Sequence, residues 1–300
     1  MAVVDRISSR VLEWFLAKEV LTSSGELPIA FVEHPFWGAV IARSMFSKIF
    51  YDCIDELRIF VGNNSPARFE SYEQRLIANA DGVFVTARAL EERLRSIGRD
   101  VPVTRIPNGV DYDWFVERSR TSEISGELDG LERPIVGYVG ALSSWIDYNL
   151  LSSVAELLPD VSFVFVGPIE DRSSVKGLTT KRRCVLLGIQ PYDSVPSFIN
   201  AFDVCLIPFR QGDIARTTNP IKIYEYFALG KPVVTTPVDE VAEFRSRGLV
   251  YWAESHEDFA RCIRDALGEN DPRKKEGRME IARQNSWSSR VETMLSRMDS

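Results

Sequence analysis

Residues 134–167 read PIVGYVGALSSWIDYNLLSSVAELLPDVSFVFVG. A β-rich run, PIVGYVGAL, gives way to small polar residues, then to a helical pattern, then to a second β-rich run, VSFVFVG. In the middle, Ile146, Leu150, Leu151, Val154, Leu157 and Leu158 recur at helical spacing. Both outer runs are apolar without alternation, as in strands buried on two faces. Strand, helix and strand in this order predict one unit of a parallel sheet covered by helices.

The same alternation extends in both directions. Upstream, PIAFVEH, KIFYDC, GVFVT and VTRIPN read as strands. GAVIARSMF, PARFESYEQRLIANA and ALEERLRSIG between them read as helices. Downstream, CVLLG, DVCLIPF, PVVTT and LVYW are strand-like, and SVPSFINAF, PIKIYEYFALG, EVAEFRSRG and HEDFARCIRDALG are helix-like. DWFVERSRTSEISGELDGLERP, from Asp113 to Pro134, is charged and has no sustained apolar period, so it reads as an inter-domain linker. The expected organisation is a first domain over 1–116, a linker over 117–133, a second domain over 134–270 and C-terminal helices over 271–300. The opening MAVVDRISSRVLEWFLAKEV carries charges among its apolar positions, which fits an amphipathic helix and not a signal peptide.

Three hundred residues suit two domains of ordinary size. A net charge of −7 argues against binding nucleic acid through bulk electrostatics. Cys53, Cys184, Cys205 and Cys262 form no Cys-x-x-Cys pair, and His34 and His256 are the only histidines. That composition argues against a zinc site and suits buried thiols in a reducing cytosol. No apolar run is long enough for a membrane span.

In open parallel sheets, ligands bind at the carboxyl ends of the strands. Four places there carry candidate chemistry. In TTNPIKIYEYFALGKPVVTTP, Thr217 to Pro237, Pro220 suits a first helical turn and Asn219 an N-cap, with Thr218 beside it. Lys222 and Glu225 share the polar stripe of that helix. The helix N-terminus plus Lys222 would suit a diphosphate, and Glu225 a pair of ribose hydroxyls. An ordinary surface ion pair has the same spacing. After PIVGYVG, the residues Gly140, Ser143 and Ser144 form a small-residue loop before a helix opening near Asp147, a layout that can cradle phosphate or serve as a plain turn. The turn from Gly188 through Ile189 to Tyr192 could offer amides to a base edge. In the first half, His34 ends one strand, and Asp52 and Asp55 end the next, in YDCIDE.

Taken in order, YDCIDE, ADGVFVTARAL, IPNGVDYDWF, the 134–151 run, FVGP, the 186–209 run, NPIKIYEYFALGKPVV and NSW resemble the GT-B glycosyltransferases of the family 4 group. They most resemble bacterial polysaccharide enzymes of the teichuronic acid type. The resemblance covers the chain from about Ile29 onward, and IPNGVD and the NPIKIYEYFALGKPVV run are its specific parts. It implies an α/β GT-B fold, two Rossmann-like doubly wound domains facing a cleft. It implies transfer of a sugar from a nucleotide-diphosphate sugar to a saccharide or lipid-linked acceptor, with retention and without a metal or other cofactor.

Carried over by residue, Glu225 would hold the ribose, and Lys222, Asn219 and the Gly140–Ser144 loop the diphosphate. Ile189 to Tyr192 would lie at the base, His34 at the reacting centre, and Asp52 and Asp55 on the acceptor side. Trp287 would pack back onto the first domain. The chain departs from the family pattern where Thr217 stands for a usual glutamate and Ala141 and Leu142 for a usual arginine. It also begins without the family's opening strand and Gly-rich loop, so the first domain is expected to be incomplete. Implied partners are the nucleotide sugar, the acceptor, peripheral contact with the inner face of the membrane from the cytoplasm, and a homo-oligomer or second chain completing the first domain. An epimerase of the same architecture and a non-catalytic nucleotide-sugar binder stay open beside the transferase.

Overall fold

The computed structural model describes residues 27–59, 66–97, 100–121, 126, 128, 130–170 and 172–299. The expected N-terminal amphipathic helix and part of the expected linker lie outside them. Contacts divide the chain into two units, Met1–Pro107 with Glu292–Ser300, and Asn108–Val291.

In the first unit, β1 (Ile29–Val32), β2 (Lys48–Cys53), β3 (Gly82–Val85) and β4 (Val103–Arg105) form a parallel sheet in chain order. Right-handed crossovers that all step the same way place every connection on one face. Packed there are a 3₁₀ turn (Pro35–Ala39), α1 (Pro66–Asn79) and α2 (Arg88–Ser96). They bury Val32, Ile49, Tyr51, Val83 and Val85 against Leu76 and Leu90. On the opposite face Phe50, Phe84 and Ile106 meet Met294 and Met298 from the end of the chain. Phe31, stacked on Phe84 at 6.1 Å, stays 43% exposed.

Among the described residues this unit is therefore wound on one face only. The helix expected over 38–46 is also absent. Two 3₁₀ turns, Pro35–Ala39 and Arg43–Met45, replace it. The segment lies so close to α1 that a Cβ on Gly38 would sit 2.0 Å from the Tyr72 carbonyl oxygen.

The second unit opens with α3 (Tyr112–Thr121) and continues β5 (Ile135–Val139), α4 (Tyr148–Leu157), β6 (Ser162–Val166), α5 (Lys176–Thr179), β7 (Cys184–Gly188), α6 (Val195–Ala201) and β8 (Val204–Ile207). Then come α7 (Asp213–Thr217), α8 (Ile221–Ala228), β9 (Val233–Thr235), α9 (Ala242–Ser246), β10 (Tyr251–Trp252), α10 (His256–Leu267), α11 (Pro272–Gln284) and α12 (Trp287–Met298), whose last residues count with the first unit. Its six strands are parallel in the order β10-β9-β8-β5-β6-β7, which is doubly wound. The order reverses between β5 and β8, paired through Val136 with Val204 and Gly137 with Cys205. A switch point of this kind opens a crevice at the strand ends.

The 134–167 reading holds: β5, α4 and β6 fall where expected. Of the α4 stripe, Leu157 is exposed and the other five are buried. The linker expectation does not hold. Residues 117–121 finish α3, and the contact boundary falls between Pro107 and Asn108. Phe115 is the only fully buried side chain of α3, too little to announce a helix in a charged stretch.

Two cations anchor the far side of the second unit. Arg278 is fully buried, its Nε donating to the Leu249 carbonyl at 2.8 Å and its two Nη atoms to Glu269 at 2.6 and 2.7 Å. Lys231 of the GKPVV run donates to the carbonyls of Asn200 (2.6 Å) and Phe202 (2.9 Å), closing the C-terminus of α6. The four cysteines are free thiols. Among the described residues, no helix is long and apolar enough to cross a membrane, and no group of three or more His, Cys, Asp or Glu could hold a metal ion.

Candidate active site

The two segments flanking the switch point are the loop after β5 and the α7–α8 segment after β8. They contain seven of the predicted site residues, Gly140, Ser143, Ser144, Thr218, Asn219, Lys222 and Glu225.

Lys222 and Glu225 are not a surface pair. The Glu225 side chain is 3% exposed, and its Oε2 accepts from Lys222 Nζ at 2.7 Å. Lys222 itself is about a quarter exposed. Burial of Glu225 follows from the helix around it, since Ile223, Tyr224, Tyr226, Phe227 and Ala228 are all buried. Glu225 also lies close enough to Tyr138 and Tyr192 that its charge helps push both phenols up, after the larger effect of burial; Tyr192 reaches about 12.

Asn219 is not the N-cap of α8. Pro220 holds that position, without a side-chain bond. The Asn219 carboxamide is 3% exposed and engaged elsewhere. Its Oδ1 accepts from the Asn108 amide at 2.9 Å, and its own carbonyl accepts from Asn108 Nδ2 at 2.6 Å. Asn219 therefore fixes the entry of α8, and its side chain is already committed. Beside it, Thr218 is half-buried in extended conformation after α7.

In the loop after β5, Gly140 has φ +150° and donates its amide to Val166 at 2.8 Å. The Leu142 amide donates to Pro168 at 2.8 Å. The Ser143 hydroxyl is buried and donates to Glu170. Neither the Gly140 amide nor the Ser143 hydroxyl is available as expected. Among the described residues, the amides of Ala141, Ser143 and Ser144 carry no hydrogen bond, and Ser144 is exposed. Three open amides in one small-residue loop are what an anion needs. The loop is pinned by its neighbour, where a Cβ on Gly167 would come 2.1 Å from the Gly140 carbonyl oxygen.

Ile189 and Tyr192 follow β7 and are exposed, Ile189 by 77%. Tyr192 lies flat on Trp114 of α3, centroids 5.2 Å apart and planes at 10°, with Phe115 edge-on. The Trp114 partner escaped the sequence reading because it lay in the supposed linker. DYDWF directly after IPNGV was the available signal.

In the first unit, β1 and β2 end side by side, since Val32 pairs with Tyr51. His34 is exposed; its Nδ1 accepts from the Phe36 amide at 3.1 Å, and its ring sits edge-on to Phe69 of α1. A neutral His34 therefore carries its proton on Nε2. Asp52 shares the opposite face of the sheet with Phe50, two residues before it. His34 and Asp52 lie at one end of the sheet but lean to different faces, His34 toward Phe69 of α1 and Asp52 away from it. Burial pushes the Asp52 carboxyl up to about 6, with Glu33 adding to it, and burial alone takes Asp55 to about 6.

Residues 133–269 match the profile of the family described as Glycosyl transferases group 1. These residues are a glycosyltransferase group 1 domain. The chain is 27% identical over 271 residues to TuaH of Bacillus subtilis (strain 168), named as a teichuronic acid biosynthesis glycosyltransferase, covering 85% of this chain and 68% of that protein. It is 26% identical over 243 residues to the D-inositol 3-phosphate glycosyltransferase of Mycobacteroides abscessus, covering 75% of this chain and 53% of that protein. In fold, it resembles Anabaena Alr3699/HepE in complex with UDP and glucose, at a TM-score of 0.70 and 17% identity over 95% of this chain and 81% of that one. It also resembles a trehalose 6-phosphate synthase of Burkholderia multivorans, at 0.73 and 14% over 97% and 75%. The fold is GT-B. The glycosyltransferase domain contains the open amides after β5, the Lys222–Glu225 pair and Tyr192. His34, Asp52 and Asp55 lie outside the matched residues.

Proposed function

We propose that this glycosyltransferase moves a sugar from a nucleotide-diphosphate sugar to a saccharide or lipid-linked acceptor at the cytoplasmic face of the membrane, in cell-surface polysaccharide synthesis. One observation carries the reading. The partly buried Lys222–Glu225 pair stands in the first turns of α8, after the β8 strand that flanks the switch point, and the charge of Glu225 reaches Tyr138 of β5. Glu225 Oε2 is taken by Lys222, and its Oε1 is left to accept from a ribose hydroxyl. Lys222 spends one N–H on Glu225 and has two for the diphosphate. The exposed Tyr192 and Ile189 suit the base.

The chemistry follows from charge. As the bond between the anomeric carbon and the diphosphate breaks, negative charge grows on the leaving oxygen. Lys222, the first amides of α8 and the loop amides would stabilise it. The proton lost by the acceptor hydroxyl would pass to that same oxygen. No protein nucleophile and no metal enter this scheme, and attack from the leaving side retains configuration.

The test begins with thermal shift against a panel of nucleotides and nucleotide sugars, UDP and UDP-glucose first because HepE binds UDP and glucose. A ligand that binds only the folded chain raises its melting temperature. Lys222→Ala should lower turnover on the best donor by about 10²–10³-fold, the usual loss for one group stabilising a developing anion. Equal turnover in the two proteins would end this assignment. Donor alone should yield no epimer.

A further inference from the structure

We propose that a cavity at the far end of the second unit's sheet is an effector site for a phosphate monoester, separate from the donor site. The site stands on its own geometry; only its effect on the donor rests on the transferase reading.

The cavity holds about 410 Å³ and opens where β8 and β9 begin, beside the end of α8 and the start of α11. That size is ordinary for a small-molecule pocket. Three acids line it, and each already has an arginine: Asp203 has Arg133, Glu269 has Arg278 and Asp271 has Arg273. Two lysines line it as well. Lys231 spends two N–H groups on the carbonyls of Asn200 and Phe202, at 2.6 and 2.9 Å. The stem of Lys275 lies across Gly230, where a Cβ would come 2.6 Å from its Cγ. Among the described residues, neither lysine has an acid for a salt-bridge partner. Burial foremost, then the charges of Lys275 and Arg133, lower the Lys231 ammonium from its usual range against the pull of Asp203.

In a chain of net charge −7, two ammoniums left over on one cavity wall are a place for an anion. A phosphate monoester carries about two negative charges at pH 7, which matches the pair. Phe202, Leu229 and Pro272 give the body of the ester an apolar wall.

Position gives the cavity its link to the donor. Parallel sheets bind ligands at the strand carboxyl ends, and this cavity lies at the opposite end. α8 carries Lys222 and Glu225 and runs into Leu229 and Gly230. α6 begins three residues after Tyr192 and runs into Phe202. Both helices that start at proposed donor residues therefore end at the cavity, and Lys231 ties those two ends together. An anion that draws Lys231 from the two carbonyls would loosen the tie and change the affinity for the donor. UDP would then change the affinity for the anion by the same factor.

The test uses the full chain at pH 7 and isothermal titration with inorganic phosphate, glucose 6-phosphate and adenosine monophosphate. At least one of them should bind wild type, and bind Lys275→Gln about tenfold more weakly, the loss expected for a hydrogen bond to a charged group. Glucose and adenosine should not compete. Lys275 is exposed, so the variant should melt as wild type does. Adding the bound phosphate should shift the Kd of UDP by about fivefold and then level off. No phosphate binding, equal binding in Lys275→Gln, or an unmoved Kd of UDP would each overturn the proposal. So would a Kd of UDP that climbs without levelling off, the mark of competition at the donor site. UDP that fails to bind, with Lys275-dependent phosphate binding intact, would uphold the site and overturn its coupling together with the donor reading.

Discussion

Lys222 holds Glu225 at 2.7 Å and, on the proposed reading, would also hold a diphosphate. The two duties can be separated. Lys222→Ala leaves a buried carboxylate without its cation, a change that costs about 3–5 kcal/mol when the pair is fully buried and less where, as here, the lysine is partly solvated. Adding Glu225→Gln removes the stranded charge. The double variant should recover most of the melting temperature lost by Lys222→Ala and none of the turnover. Recovery of both would mean that the pair serves only the fold.

Asp52 has the opposite sign of effect. An ordinary aspartate titrates near pH 3.9, and burial raises this one to about 6. Below about pH 4 it is protonated folded or unfolded and costs nothing. Between pH 4 and 6 the unfolded chain loses the proton first, so folded stability falls as pH rises. Above pH 6 the loss is complete, about 3 kcal/mol for a shift of this size. Asp52→Asn should therefore raise the melting temperature at pH 7 and leave it unchanged at pH 4. A gain equal at both pH values would show that the carboxylate was not the cause.

The loop 106–110, IPNGV, shows how a motif can be mechanical. Asn108 clamps Asn219 in front of α8, and Val110 pairs in parallel with Ser286, exchanging backbone bonds with Asn285 and Trp287. Gly109 lies beneath this join, where a Cβ would meet the Asn285 carbonyl oxygen at 2.7 Å. Gly109→Ala should cost about 1–3 kcal/mol, the range for forcing a methyl into filled space, read as a lower urea midpoint. An unchanged midpoint would show that the join yields easily. The residues of IPNGV, NP and NSW were all visible in the sequence, but not that they touch, since nothing in a linear order tells which loops will meet. Strands and long helices were legible because burial on both faces and a 3.6-residue period leave marks in composition. α3 was not legible, because one buried side chain in ten residues leaves no period. Asn219 and Ser143 were read as ligand groups from residue type alone. Whether a polar side chain is free depends on neighbours such as Asn108 and Glu170, which only the folded chain brings close.

The two sheets differ in how completely they are wound. The six-stranded one reverses its order between β5 and β8. The four-stranded one never reverses, so all its crossovers share one face and the face bearing Phe50 and Phe84 waits for residues from elsewhere in the chain. Met294 and Met298 reach it from α12, which begins among contacts of the second unit and ends among those of the first. The order of synthesis then matters. Residues 27–107 precede residues 292–299 by nearly two hundred positions, yet among the described residues Phe50 and Phe84 pack on Met294 and Met298. A nascent chain would hold Phe50 and Phe84 without Met294 and Met298 through the whole translation of the second unit, the stage at which exposed apolar area is most prone to stray association. A bulky fusion at the carboxyl terminus would therefore disturb the amino-terminal sheet before it disturbed its own neighbours in sequence.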